Sequence, residues 1–208
     1  MLLSLEKGFL MIHVPKTGGT SIAKAVDPWI IHAPTDKWNK IISRLHLRKD
    51  PAKFLLRVHG DLRYACKVLP PGLTESLFKF AFVRNPWDRL VSEYSFVLDR
   101  EIHPRNKEVR ELGSFGNYLR YENQRARGRS QADMLRNSSG QVGVDFVGRF
   151  ENLSKDFDEV ARRIGVQVSL PHLNRTRHRD FREYYDPKAR DYVAKHWKDE
   201  IELFGYEF

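Results

Sequence analysis

Phe9–Ile22 reads FLMIHVPKTGGTSI, and the fold of the chain turns on this stretch. Phe9–Val14 is apolar on both faces of an extended chain, as expected of a buried parallel strand. It runs into Pro15-Lys16-Thr17-Gly18-Gly19-Thr20-Ser21. Thr20 or Ser21 then suits the cap of a helix through Ile22, Ala23, Ala25 and Val26, ending before Pro28. A strand that feeds a glycine turn and a helix start is an anion site, because backbone N–H groups converge there and the helix N-terminus adds partial positive charge. Gly18 and Gly19 let the backbone come close to the anion. Lys16 supplies an ammonium, and Thr17, Thr20 and Ser21 supply hydroxyls. The loop is thus expected to cradle a terminal phosphate-like group. It is not a Walker A loop, whose lysine follows the glycines; here Lys16 precedes them. No strand ends in an acidic residue of the kind that helps to hold magnesium, so an ATPase reading lacks its metal half.

Outward from this stretch, strands alternate with helices. Phe54–Val58 reads as a strand leading into His59-Gly60-Asp61, and Phe78–Val83 as another leading into Arg84-Asn85-Pro86. Pro86 suits a first helical position, and Leu90, Val91, Tyr94, Val97 and Leu98 follow at helical spacing. Asp145–Phe150 reads as a fourth strand, Leu153–Ile164 as an amphipathic helix ended by Gly165, and Pro187–Phe204 as one closing helix. The segment from Arg100 to Ser139 is polar, arginine-rich and weakly patterned. The fold class is therefore α/β, a central parallel sheet flanked by helices, with no internal repeat and no linker marking a boundary within residues 1–208.

The balance of 36 Lys+Arg against 27 Asp+Glu gives a formal charge of +9, which favours an anionic partner. The single cysteine, Cys66, excludes an intrachain disulfide and a cysteine-built zinc site. Glu6 and Lys7 interrupt the apolar N-terminal run, and no window approaches the roughly 18 apolar residues of a membrane span. The expectation is a cytoplasmic protein, or a Golgi-lumenal one if the chain is an excised domain. His172, His178 and His196 lack metal-ligand spacing, so no metal is expected.

A second anion site follows from FAFVRNPWDRLVSEYSF, where Arg84 sits at a strand end and Ser92 lies about two turns into the next helix. A guanidinium fork and a hydroxyl suit a second phosphate. Together, HVPKTGGTS and FVRNPWDRLVSEY resemble the 5′-phosphosulfate loop and the 3′-phosphate motif of sulfotransferases that use 3′-phosphoadenosine 5′-phosphosulfate (PAPS). DFVGRFENL and DEIELFGYEF look like the carbohydrate branch that includes heparan sulfate 2-O- and 6-O-sulfotransferases. The resemblance implies a single P-loop-like sulfotransferase domain over residues 1–208. It implies that Lys16, Thr17, Gly18, Gly19, Thr20 and Ser21 bind the 5′-phosphosulfate and that Arg84 and Ser92 bind the 3′-phosphate. Arg175 or Arg177, in LNRTRHRD, would then be a further 3′-phosphate contact.

Sulfuryl transfer needs a base for the acceptor hydroxyl and positive charge on the leaving phosphate. Lys16 suits the second role. For the base, VHGDLRY offers His59, whose ordinary pKa of about 6.5 is suitable, and Asp61, which stands where related glycan sulfotransferases carry a second histidine. His13 is read as a packed residue at a strand end. Arg89 is read as a local partner of Asp88 or Glu93, Trp87 and Tyr94 as core, and Glu151 and Asn152 as structural, either orienting the loop or capping the next helix. Arg120, Arg125, Arg127, Arg129 and Arg136 either line a cleft for an acidic glycan acceptor or form a solvated face. Two rival readings are a kinase-like P-loop protein and a basic nucleic-acid-binding module. The first lacks the Walker A lysine position; the second has no recognised motif and leaves the paired phosphate motifs unexplained.

Overall fold

The computed structural model describes residues 1–32, 56–125, 130–171 and 179–208. In chain order the elements are β1 (Leu2–Ser4), β2 (Phe9–Ile12), α1 (Gly19–Val26), α2 (Leu62–Val68), α3 (Leu73–Ser76), β3 (Phe78–Val83) and α4 (Pro86–Leu98). They continue with α5 (Asn106–Glu111), α6 (Phe115–Arg125), α7 (Gln131–Leu135), β4 (Phe146–Arg149), α8 (Leu153–Ile164), α9 (Pro187–His196) and α10 (Lys198–Phe204). The chain divides into two compact units: Met1–Val83 with Met134–Leu173, and Arg84–Asp133 with Asn174–Phe208.

The first unit holds the sheet, in the order β1-β2-β3-β4. β2 pairs in parallel with β3, and β3 in parallel with β4, whereas β1 is an antiparallel edge strand. All four residues of β2 are fully buried, as a strand covered on both faces requires. With the two-residue period of a strand, Phe9, Met11, Phe80 and Phe82 share one face. They pack with Ile22 and Val26 of α1 and with Phe157, Val160 and Ile164 of α8. Gly165, at φ 70°, ends α8 as its position in the sequence indicates.

Three expectations need correction in this unit. Phe9–Val14 ends as a strand at Ile12, because the Val14 N–H already turns back to the Ile12 carbonyl at 3.2 Å. Of Phe54–Val58, the first two residues lie outside those described, and Leu56–Val58 form no strand. Neither Thr20 nor Ser21 caps α1. The N-cap is Gly18 at φ 83°, a left-handed conformation natural to glycine, and no side chain caps the helix.

The second unit is helical. Asn85 Oδ1 caps α4 by accepting from the Trp87 N–H at 3.0 Å, with Pro86 in the first turn. Val97, Val109 and Tyr118 form the centre of its core, with Tyr94, Leu112 and Phe115 packed around them. Arg105 joins α4 to α6 by pairing with Glu93 and with Glu122, the latter at 2.9 Å. The weakly patterned segment thus folds as short helices that share few buried positions. Pro187–Phe204 is two helices, since Trp197 (φ −111°, ψ 20°) leaves the helical region with its side chain buried.

Gly148 stands opposite Phe82 in the register, and a Cβ there would meet the Phe82 ring at 2.4 Å. Gly148→Ala should therefore cost about 1–3 kcal/mol through displacement of that ring, read as a lower urea midpoint. Gly165→Ala, where nothing lies within 4 Å, tests backbone strain alone.

Candidate active site

In the first unit the site grows from the turn after β2. Thr17 is fully buried, and its Oγ1 donates to the Val14 carbonyl at 2.9 Å, so this hydroxyl closes the loop rather than facing outward. Lys16 takes φ 67°, the one positive φ among the described non-glycine residues. A lysine held left-handed costs of order 1–3 kcal/mol and persists only where its surroundings impose it, as at ligand loops. Gly18 lies against Leu153 of α8, where a Cβ would come within 2.6 Å, and Gly19 lies beneath the His13 ring, where it would come within 2.0 Å. Gly18 is required by its left-handed φ of 83°, and a side chain at Gly19 would have to displace the His13 ring. No side chain caps α1, and the Ser21 N–H already turns back to the Gly18 carbonyl at 3.0 Å, so the Gly19 and Thr20 N–H groups are the ones such a helix start leaves for an outside acceptor. Thr20 is exposed and Ser21 is buried in that same turn.

His13 and His59 meet. Their ring centroids are 4.7 Å apart with planes at 57°. Burial, and secondarily His59, pushes the His13 pKa down to about 3, so the His13 ring is neutral at physiological pH. His59 is exposed, and its Nδ1 lies 3.0 Å from the His13 carbonyl. A carbonyl only accepts, so Nδ1 carries the hydrogen and Nε2 carries the lone pair in the neutral ring. The backbone of the residue just past β2 thus sets the tautomer of His59. Asp61 is differently employed: its Oδ1 accepts from the Tyr64 N–H at 2.7 Å as the N-cap of α2.

In the second unit Arg84 is 4% exposed, and its Nε donates to Asp88 Oδ2 at 2.7 Å. Asp88 and Ser92 are four residues apart on one face of α4, and Ser92 is fully buried. Arg89 pairs with neither Asp88 nor Glu93. Those carboxylates serve Arg84 and Arg105, and Arg89 Nη2 reaches Glu200 Oε1 at 3.3 Å instead. Asn152 occupies the N-cap position of α8 without a side-chain cap bond, whereas Asp156 of that helix accepts from the Arg149 N–H at 2.6 Å. Arg175 and Arg177 lie outside the described residues, as do Arg127 and Arg129. Arg125 pairs with Glu122 at 3.3 Å, and Arg120 bonds Asn117 at 3.1 Å. Two partners were not legible beforehand. Asp88 could have been found from its four-residue spacing to Arg84. Gln131, whose side chain bonds the Arg84 backbone from 47 residues away, left no local signal.

A parallel sheet with a glycine-capped loop after one strand, and an arginine and a serine around the helix after the next, is the order of elements the two motifs imply, and comparison with known proteins supplies the family. The model of the sulfotransferase family matches residues 1–207, and the chain belongs to that family. An uncharacterized protein of Archaeoglobus fulgidus is 30% identical over 100 residues, covering 47% of this chain and 76% of that protein. The crystal structure of mouse sulfotransferase SULT7A1 complexed with PAP has the same fold, with a TM-score of 0.58 at 14% identity over 95% of this chain and 86% of that one.

Two predictions follow from the first-unit geometry. Asp61→Ala should lower stability by about 1 kcal/mol through loss of the cap, whereas Asp61→Asn, an equally good cap, should leave the unfolding midpoint unchanged. Any activity lost in the asparagine variant is then due to charge alone. The depressed His13 pKa gives a pH dependence of definite sign. Above about pH 6.5 the ring is neutral folded and unfolded, and its contribution is complete. As pH falls from there toward about 3, the unfolded chain binds a proton that the folded chain refuses. Stability therefore drops by up to about 1.4 kcal/mol per pH unit. His13→Gln should flatten this slope in denaturant titrations between pH 7 and 5.

Proposed function

We propose that this protein transfers the sulfuryl group of PAPS to a hydroxyl of a carbohydrate, releasing adenosine 3′,5′-bisphosphate. The observation that carries this reading is the loop after β2, where left-handed Lys16 and left-handed Gly18 precede a helix whose first turn has no side-chain cap. In this reading the N–H groups of Gly19 and Thr20, with the Lys16 ammonium and the Thr20 and Ser21 hydroxyls, hold the 5′-phosphosulfate. Thr17, whose hydroxyl is bonded to Val14, contributes through the loop it closes. Arg84, steadied at Nε by Asp88, and Ser92 take the 3′-phosphate; Arg175 or Arg177 joins them by family resemblance. The mouse structure was solved with PAP, which supports a bisphosphorylated nucleotide as the product.

The step is an in-line displacement at sulfur. The acceptor oxygen forms the new S–O bond, and the S–O bond to the phosphate breaks with its electron pair going to the phosphate oxygen. Lys16 neutralises the charge that develops there. The acceptor proton passes to Nε2 of His59, which the bond from Nδ1 to the His13 carbonyl makes the basic nitrogen. Asp61 supports this arrangement as the cap of the helix that follows. The reaction so written uses no metal.

A carbohydrate acceptor is supported by a cavity of ≈ 660 Å³ in the second unit, lined by Phe115, Tyr185 and Tyr192 with Arg120, Lys188, Glu183 and Asp186. Aromatic faces suit the apolar faces of sugar rings, and side chains of both charges suit hydroxyl groups, which donate and accept. Gly116 opens on this cavity from within α6, and a Cβ there would meet nothing within 4 Å. A helical glycine with no contact to avoid is not required by packing; it leaves the cavity wide.

Calorimetric titration with adenosine 3′,5′-bisphosphate, beside ATP with magnesium and a short duplex DNA, tests the donor assignment. Micromolar binding of the bisphosphate alone, weakened at least about tenfold in Arg84→Ala, is expected. Clear binding of ATP or DNA with silence toward the bisphosphate would overturn the reading. His59→Ala should leave bisphosphate affinity unchanged and lower turnover about 10²- to 10⁴-fold.

A further inference from the structure

The β3–β4 register ends at Val83 opposite Arg149, so Arg84 is the first residue past the ladder. Its backbone is nevertheless paired on both sides. Gln131 Oε1 accepts from the Arg84 N–H at 2.9 Å, and Gln131 Nε2 donates to the Arg84 carbonyl at 2.8 Å. One side-chain amide thus does for a single residue what a neighbouring strand would do. Gln131 is fully buried, and its own N–H donates to Glu200 Oε2 at 2.6 Å. Glu200, 1% exposed, turns its other oxygen to Arg89 Nη2 at 3.3 Å. The chain of contacts therefore runs from Arg89 through Glu200 and Gln131 to the Arg84 backbone.

This is an expensive way to fill a core. A buried ion pair contributes less than well-packed apolar residues of the same volume, and Arg89 Nε is left buried without a partner. What the arrangement gives in return is direction. The amide clamp fixes φ and ψ at Arg84, and the Asp88 carboxylate fixes the guanidinium at the other end of the same side chain. We propose that Gln131 and Glu200 are positioning residues for the nucleotide: they fix the backbone of Arg84 and so the aim of its side chain, and with it the preference for a ligand bearing a 3′-phosphate. The inference rests on Arg84 as the 3′-phosphate ligand. Asn85 Nδ2, which donates to the Glu207 carbonyl at 2.7 Å, and Trp87, whose ring meets Phe208 edge-on at 5.6 Å, brace the same turn from the segment that follows Glu200.

The test compares two nucleotides. Adenosine 3′,5′-bisphosphate and adenosine 5′-monophosphate share everything except the 3′-phosphate, so their affinity ratio reports on Arg84, while a general loss of structure weakens both. Calorimetry on the full chain should show Gln131→Ala weakening the bisphosphate about tenfold, with the monophosphate held within twofold. Glu200→Gln, which keeps the shape and removes the charge, should lower the ratio about threefold, and it carries the comparison if Gln131→Ala does not fold. An unchanged ratio in the folded variants overturns the inference, whether both affinities fall together or neither moves. A wild-type protein that binds the two nucleotides equally would instead remove the assignment of Arg84, so the two failures are distinguishable.

Discussion

Parallel pairing of β2 with β3 is the constraint on which the rest depends. Strands that run in the same direction must end at the same edge of the sheet, so the turn after β2 and the last residues of β3 leave it on one side. The register of Ile12 with Ala81 brings the two exits level. The candidate site of the first unit is hung from that edge: the loop closed by Thr17, the His13 carbonyl that orients His59, and the Gly18 cap of α1. The strands are hydrophobic on both faces because both are covered. Backbone pairing then fixes the edge to within the tolerance of a hydrogen bond, which is tighter than loop packing alone achieves.

Polar groups of the two motif regions are consumed by structure more often than their identities suggest. Thr17 closes a turn, Asp61 caps a helix and Arg89 serves Glu200. Each would pass as a ligand-binding residue on composition alone. The groups that hold them are mostly backbone carbonyls and N–H groups, which carry no sequence signature. What distinguishes Lys16 is conformation rather than charge: a non-glycine residue in the left-handed region carries strain that its neighbours must impose.

The sequence made β2, β3, β4 and α8 legible because their apolar periods are unambiguous and Gly165 and Pro86 punctuate them. Three-residue β1 was too short to show a period, and its edge position asks little of its side chains. The helices between Asn106 and Leu135 were obscured because a small unit buries few residues per helix, so α6 shows only Tyr118 and Leu119 as fully covered. At the site, the glycine loop and Arg84 were legible as motifs. The His13–His59 contact, the turn of Arg89 toward Glu200 and the Gln131 clamp were not, since each depends on tertiary approach between residues far apart in the chain.

The connection between β3 and β4 carries most of a second compact unit, Arg84–Asp133, before the chain returns to the sheet. Closing a loop costs entropy only logarithmically in its length, roughly 0.6 kcal/mol for each doubling. The ladder is therefore nearly indifferent to how much chain the crossover holds. It is not indifferent in time: a strand pair whose partners are so far apart in sequence forms late, and folding of such a topology is slow. The same arithmetic makes this crossover a place where chain can be added, removed or rebuilt at little thermodynamic cost. A sheet edge committed to one donor chemistry can in this way be coupled to a helical insert whose wall residues are free to diverge.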